Sequence, residues 1–206
     1  MGFTVKDSGG QDWDPVPRGV YHAVCYAMID LGTQYNEMYG NEQHKCWVSW
    51  ELPEERMEYE GENRPRVISK FYTVSLHEKS NLRNDLESWR GKAFTVDELL
   101  GFDISKLLGA NCQINVIHKT NKKGQTRAQV GSIMPLSRNM QKKQPENEKL
   151  YFSWEDHGHD LPENLPDGIK SMIMKCREWN EQGQMNDYLP DPDQPPIDSY
   201  DDDIPF

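Results

Sequence analysis

Apolar residues recur at every second position in five stretches of the chain and at helical spacing in two others, so most of the predicted architecture is β. From Gly19 to Leu31, Tyr21, Ala23, Cys25, Ala27, Ile29 and Leu31 fall at period two, which predicts a long strand with those six on one face. Residues 33–43 are polar and read as a loop. A second strand spans His44 to Leu52, with Cys46, Val48, Trp50 and Leu52 on one face and Lys45, Trp47, Ser49 and Glu51 on the other. Pro53 and the charged run Glu54–Asn63 read as a loop. The third strand, Val67 to His77, turns Tyr72, Val74 and Leu76 one way and Phe71, Thr73 and Ser75 the other.

The period then changes to that of a helix. Ser80 is an N-cap, Leu82, Leu86 and Trp89 form one stripe, and Gly91 is the stop. Thr95-Val96-Asp97-Glu98 has capping-box form and opens a short turn that ends near Gly101. Asp103–Leu108, closed by Gly109, is a further turn. A fourth strand covers Cys112 to His118, with Cys112, Ile114, Val116 and His118 on one face. Asn121-Lys122-Lys123-Gly124 is a hairpin turn, and the fifth strand runs from Arg127 to Met134, before Pro135. Residues 137–165 are a polar connection with one short strand, Leu150–Trp154. A helix from Asp167 to Gln182 gathers Ile169, Met172, Ile173, Cys176 and Trp179 on one side.

Three strands, a helical insertion and a two-strand hairpin is the order of a five-stranded OB-fold barrel, an architecture that commonly binds single strands. The expected fold is therefore mainly β with accessory helices: an OB-fold barrel, a C-terminal helix and a disordered acidic tail. The expected divisions are a flexible arm (1–16), a binding domain with accessory helices (17–184) and the tail (185–206). The arm is polar and punctuated by Gly and Pro. The tail holds seven Asp and no Glu, Lys or Arg, and its Pro residues exclude helix and ladder alike.

Charge changes this picture more than composition does. The net charge of −11 argues against a polyanionic partner, but the charge is segregated. Residues 64–143 carry fifteen Lys or Arg against six Asp or Glu, a balance of +9. A basic body with an acidic tail suits a protein that binds nucleic acid and screens itself. The four cysteines (25, 46, 112, 176) lie far apart and read as small buried hydrophobes. His157-Gly158-His159 is the one close His pair, with no ligand spacing around it, so no metal and no cofactor are expected. There is no run of eighteen apolar residues, and Met1–Asp7 lacks an apolar signal core; a cytoplasmic protein with no membrane association is expected. No phosphate-loop, Gly-x-Ser-x-Gly or His-Glu-x-x-His motif occurs, so no enzyme is expected. A metal-dependent nuclease built from scattered acids would leave no such motif.

The tip Asp201-Asp202-Asp203-Ile204-Pro205-Phe206 combines three carboxylates with an aromatic anchor, a stiff Pro and a terminal carboxylate, the form of a peptide ligand. All six residues resemble the C-terminal tip of bacterial single-stranded DNA-binding proteins (SSBs). That resemblance covers the tip and the acidic, Pro-rich run before it. It implies recruitment of replication, recombination and repair proteins through Asp201–Phe206. In layout, a small barrel followed by an accessory helix and an acidic tail ending in Phe, the chain also resembles the single-stranded DNA-binding proteins of tailed phages. For a phage-encoded protein the compartment would be the bacterial host cytoplasm.

Sequence-independent binding of single strands needs aromatic faces for bases and cations for phosphates. Trp47, flanked by Lys45 and Ser49, and Phe71, beside Lys70, are the stacking candidates. Either could instead belong to a second small core under the accessory helix, and Trp50, Tyr72 and Trp89 are assigned to packing. Lys119, Lys122, Lys123 and Arg127 around the last hairpin are the first phosphate candidates, and Arg64, Arg66 and Lys70 the next. Arg138, Lys142 and Lys143 could extend the track. The function expected is protection of single-stranded DNA with recruitment of enzymes through the tip, and the reading leaves room for a homo-oligomer. The alternative is an adaptor that does not bind DNA and uses the tip as a decoy for partners of the host SSB.

Overall fold

The computed structural model describes residues 14–36, 40–59, 61–121 and 124–186, with side chains described to residue 181. The molecule is mainly β. Its strands are β1 (Gly19–Asn36), β2 (Asn41–Tyr59), β3 (Glu62–Thr73), β4 (Asn111–Thr120), β5 (Thr126–Pro135) and β6 (Leu150–Phe152). The helices are α1 (Asn81–Arg90), α2 (Val96–Leu100), α3 (Trp154–His157), α4 (Asp167–Ile173) and α5 (Arg177–Asn186). The first five strands form an antiparallel sheet in the order β3-β2-β1-β4-β5, and β6 adds to β1 in parallel. The end strands β3 and β5 approach one another but share no ladder among the described residues, so hydrogen bonds do not close the sheet.

The expected single face of β1 is corrected by a bulge. Cys25 faces Trp50 and Ala27 faces Ser49, so Tyr26 is one residue too many for its partner strand. An extra residue reverses which face the following side chains take. Ala23 and Cys25 therefore enter the main core, with Trp50, Ile114 and Trp89, while Ala27, Ile29 and Leu31 enter a second core with Trp47, Phe152 and Ile169. The bulge also divides one edge of β1, with β4 along Gly19–Val24 and β6 along Ala27–Ile29.

The β2–β3 hairpin is longer than expected. The run from Pro53 to Asn63, read as a loop, is mostly strand. Pro53 sits in a register irregularity between Leu52 and Arg56, where the ladder does not need its missing N–H. The predicted helix from Asp167 to Gln182 is two helices, with the chain turning at Met174–Cys176. That turn presents Cys176 and Glu178 to β1. The Glu178 carboxylate accepts from Thr33 N (2.7 Å) and Thr33 Oγ1 (2.6 Å). Neighbouring Gly32 has φ +67, and a Cβ there would lie 2.7 Å from both Cys176 Sγ and Glu178 Oε2, so only glycine admits this docking.

The α1 region follows the sequence closely. Ser80 caps α1 by accepting from Arg83 N, Gly91 ends it in the left-handed region, and Thr95 and Glu98 form the capping box of α2. Leu82, Leu86 and Trp89 are buried against the main core. All four cysteines are free and buried. Burial pushes the Cys46 thiol up to about 12 and the Cys176 thiol up to about 11.

The connection after β5 is strapped across the outer face of the sheet by polar anchors. Glu51 on β2 is fully buried, and its carboxylate accepts from Glu146 N (3.0 and 2.9 Å), Asn147 N (2.8 Å) and Asn147 Nδ2 (2.7 Å). Asn111 on β4 exchanges two bonds with the Lys143 backbone, at 2.9 and 2.8 Å. Arg56 grips Glu146 with two bonds, at 2.5 and 3.1 Å. A buried carboxylate is tolerable only when donors replace its water, and here three N–H donors from two residues do so.

Two measurements check these anchors. Glu51→Gln puts an NH2 group among N–H donors and should lower the urea-derived unfolding free energy by about 2–3 kcal/mol. A loss under about 0.5 kcal/mol, the range of ordinary surface changes, would show that the strap does not depend on the charge. His44 Nε2 lies 2.6 Å from Asp30 Oδ1, and that hydrogen bond raises the imidazole pKa above 6.5, with Glu178 adding to the rise and burial and Arg177 opposing it. A raised folded-state value means the stabilisation is full below 6.5 and is lost as pH rises through the folded pKa. The His44 ring signals in an NMR titration should therefore move at a higher pH than those of a free histidine, and in Asp30→Asn they should not.

Candidate nucleic-acid interface

The site is best built from β3, the end strand of the sheet. Its inward positions Ile68, Lys70 and Tyr72 alternate with outward Val67, Ser69 and Phe71. On a central strand both faces are covered, as on β2. On β3 the outer face is open, and Val67 and Phe71 are exposed, Phe71 at 50%.

Trp47 lies directly across from Phe71 in the ladder but has the opposite fate. It is only 6% exposed and packs with Ile29, Leu31 and Phe152 in the second core. Its expected role as a stacking face is corrected, since bases cannot reach an indole roofed by β6 and α4. Lys45, half-buried next to it, has no carboxylate within ion-pair distance among the described residues. Trp50, Tyr72 and Trp89 are core residues, as assigned.

Lys70 is also corrected. It points inward, with Nζ 2.6 Å from Asp85 Oδ2 on α1. The same oxygen accepts from the Tyr72 hydroxyl at 2.7 Å, and burial together with that carboxylate drives the phenol pKa far above its usual value. Lys70 thus holds α1 against β3, and its charge is neutralised there.

The remaining cations differ in availability. Arg64 is bonded to Glu62 (2.5 and 2.8 Å) and lies over the Tyr59 ring at 5.8 Å. Arg66 donates to the Asp14 carbonyl at 2.6 Å. Lys119 and Arg127 face each other across β4 and β5, both exposed, and neither has a carboxylate within ion-pair distance among the described residues. Like charges placed opposite one another are destabilising, so an anion bound at this pair would relieve a repulsion. Lys122 and Lys123 lie outside the described residues, as do Asp201–Phe206. Arg138 and Lys142 are exposed, while Lys143 Nζ is 3.0 Å from Glu54.

Two open grooves flank β3. One, about 450 Å3, runs along the seam between β3 and β5 and is lined by Tyr59, Arg66, Val67, Ser69 and Ala128. Arg127 is the next residue along β5. The other, about 420 Å3, is lined by Phe71, Ser75, His77, Lys79 and Asn81 beside the start of α1. The structure thus places Phe71 at one end of β3, Arg64 and Arg66 toward the other, and the Lys119–Arg127 pair across the seam on β4 and β5, while Trp47 and Lys70 are turned into packed contacts. Tyr59, Val67, His77 and Lys79 were missed from the sequence. Tyr59 stood in a charged run that read as loop, and nothing in the pattern placed Lys79 next to Phe71.

Among the described residues no group of three His, Cys, Asp or Glu side chains could hold a metal ion. His157 and His159 instead join an aromatic cluster with Phe152, Trp154 and Trp179. No helix among the described residues is long and apolar enough to cross a membrane.

The two kinds of cation make different predictions for stability. Lys70→Met strands Asp85 and should lower the unfolding free energy by about 1–2 kcal/mol. Arg127→Met should leave it within about 0.5 kcal/mol, or raise it slightly by removing the cross-strand repulsion. Urea unfolding of the two variants side by side reads both. Compared with known proteins, the chain matches no protein-family model and no curated sequence.

Proposed function

We propose that the protein binds single-stranded DNA without sequence preference along β3 and its seam with β5, on a barrel of OB type. The observation that carries this reading is the exposed Phe71 on the outer face of β3, with the Lys119–Arg127 pair at the far side of the seam. A flat ring in the groove beside α1 and unpartnered cations beside the groove at the seam, both flanking β3, would give a flexible single strand a stacking face and phosphate contacts, and a rigid duplex cannot place its bases on the ring. Arg64, Arg66 and Lys79 border the same grooves and would follow the phosphates. The strand order β3-β2-β1-β4-β5 and the position of α1 between β3 and β4 agree with an OB barrel in which side chains rather than a ladder close the seam.

In this reading the protein coats single-stranded DNA during replication, recombination and repair, and Asp201–Phe206 recruits the enzymes of those processes. The tail occupies the same cations when DNA is absent and is displaced when DNA binds. No step of this activity is catalytic, and no cofactor takes part.

A second reading has one observation in its favour. Of the thirteen cations in residues 64–143 that are among the described residues, seven lie within ion-pair distance of a carboxylate: Arg64, Lys70, Arg83, Arg90, Lys92, Lys106 and Lys143. The basic block is therefore weaker toward a partner than its composition, and an adaptor that uses the tip as a decoy needs no more.

Titration of labelled oligo-dT against matched duplex separates the two. The first reading expects tight single-strand binding whose affinity falls by about tenfold or more between about 50 and 200 mM salt. Phe71→Ala should weaken it by about 1–3 kcal/mol, and Lys119→Ala with Arg127→Ala should weaken it and flatten the salt dependence. Ending the chain at Tyr200 should leave binding unchanged or tighter. Absence of oligo-dT binding by the full and the shortened chain would overturn the reading in favour of the decoy.

A further inference from the structure

A different surface, which adjoins the groove beside α1 at Ser75, is apolar and rimmed by acid. A pocket of about 370 Å3 opens between the end of β3, α1, α2 and β6. Its walls include Val48, Leu82, Leu86, Phe102, Ile104 and Phe152. Val74 and Leu100 stand at its mouth, 46% and 86% exposed. Leu100 belongs to α2, whose capping box and the packing of Leu99 against the main core fix the helix in place, while Leu100 and, a turn earlier, Val96 stay exposed.

The rim carries carboxylates. Asp30 lines the wall with His44 as its partner. Asp156 accepts from the hydroxyl of Tyr151, itself a lining residue, at 3.1 Å. Asp103, between the lining residues Phe102 and Ile104, is close enough to feel Asp156. Hydrogen bonds from Ser105 and Ser153 hold Asp103 and Asp156 ionised, below their usual range. Against these stands Lys106, 3.9 Å from Asp103.

We propose that this pocket is a docking site for a partner-protein segment that carries a short run of apolar side chains flanked by Lys or Arg. The pocket matches the apolar run, and the rim matches the flanks. The same rim disfavours the chain's own tip, in which three Asp precede Ile204-Pro205-Phe206. The site thus faces a class of segment opposite in charge to the one the chain displays. It goes beyond the DNA-binding reading and does not depend on it, since the probe carries no nucleic acid.

The test uses the full chain and a fluorescein-labelled peptide, Lys-Lys-Leu-Ile-Phe-Lys-Lys, followed by polarisation. Two controls accompany it: the same peptide with Asp in place of each Lys, and the hexapeptide of residues 201–206. Saturable binding of the basic peptide, with both acidic peptides weaker by about tenfold or more, is expected. Leu100→Ser should weaken it by about tenfold, and Asp103→Asn with Asp156→Asn should weaken it and reduce its salt dependence. Leu100 is exposed and Asn keeps the cap of the turn at Asp103, so both variants should fold, which circular dichroism checks. Three results would overturn the proposal: equal binding of an acidic peptide, binding unchanged in both variants (the peptide then sits elsewhere, such as on the Asp-rich tail), or sedimentation showing self-association that Leu100→Ser abolishes, which would make a second copy the occupant.

Discussion

The structure depends on β1 serving two cores at once. A regular strand offers one face to each side along its whole length, so a strand that must feed the main core first and the second core later has to change phase. The bulge at Tyr26 makes that change. Before it, β4 lies along the edge of β1; after it, β6 takes the same edge and carries the second core with it. The second irregularity, at Leu31–Gly32, brings Thr33 to Glu178 and leaves room only for glycine. Sheet, second core and C-terminal helices are thus set by the phase of one strand.

The polar anchors decide which surfaces remain open. Burying Glu51 is unfavourable in itself, and the strap through Glu146 and Asn147 is the arrangement that satisfies it. The strap, with Asn111 and Arg56 as further fixings, covers the outer face of the central strands. The end strand β3 keeps an open outer face, with Val67 and Phe71 exposed. The candidate interface lies along β3 because the protein's own connection occupies the surface that β1 and β2 would otherwise offer.

Much of the fold was legible from local rules. The caps at Ser80 and Thr95, the stop at Gly91 and the inward faces of β2 and β4 need only neighbours in sequence. What was not legible depends on pairing. Six apolar residues at period two in β1 carry no sign that a partner strand will skip one of them. The run Glu54–Asn63 looks like a loop because its residues are polar, yet a two-strand ribbon exposed on both faces is polar for the same reason. The site was legible in part: Phe71, Lys119 and Arg127 are exposed as their alternation implies. Trp47 has the same parity as Phe71, and only the covering elements distinguish them.

The charge of the body shows why composition is a weak guide to a polyanion site. An excess of +9 suggests a uniform attraction, but the structure sorts the cations by what they touch. Lys70 is neutralised by Asp85, and Arg90 by Glu98 over the rings of Phe94 and Phe102. These charges cancel at short range and contribute little beyond a Debye length. Lys119 and Arg127 are different, because each is the other's nearest cross-strand neighbour and their fields add. A phosphate approaching the seam would meet that sum, whereas one approaching α1 would meet ion pairs. Around the neighbouring pocket, Asp103 and Asp156 are close enough to feel each other's charge, and Asp30 lines the wall paired with His44. The difference is one of counter-charge: Asp30 and Asp103 have His44 and Lys106 beside them, whereas Lys119 and Arg127 have no carboxylate within ion-pair distance among the described residues, so the local sign at each surface follows from a few side chains rather than from the net charge.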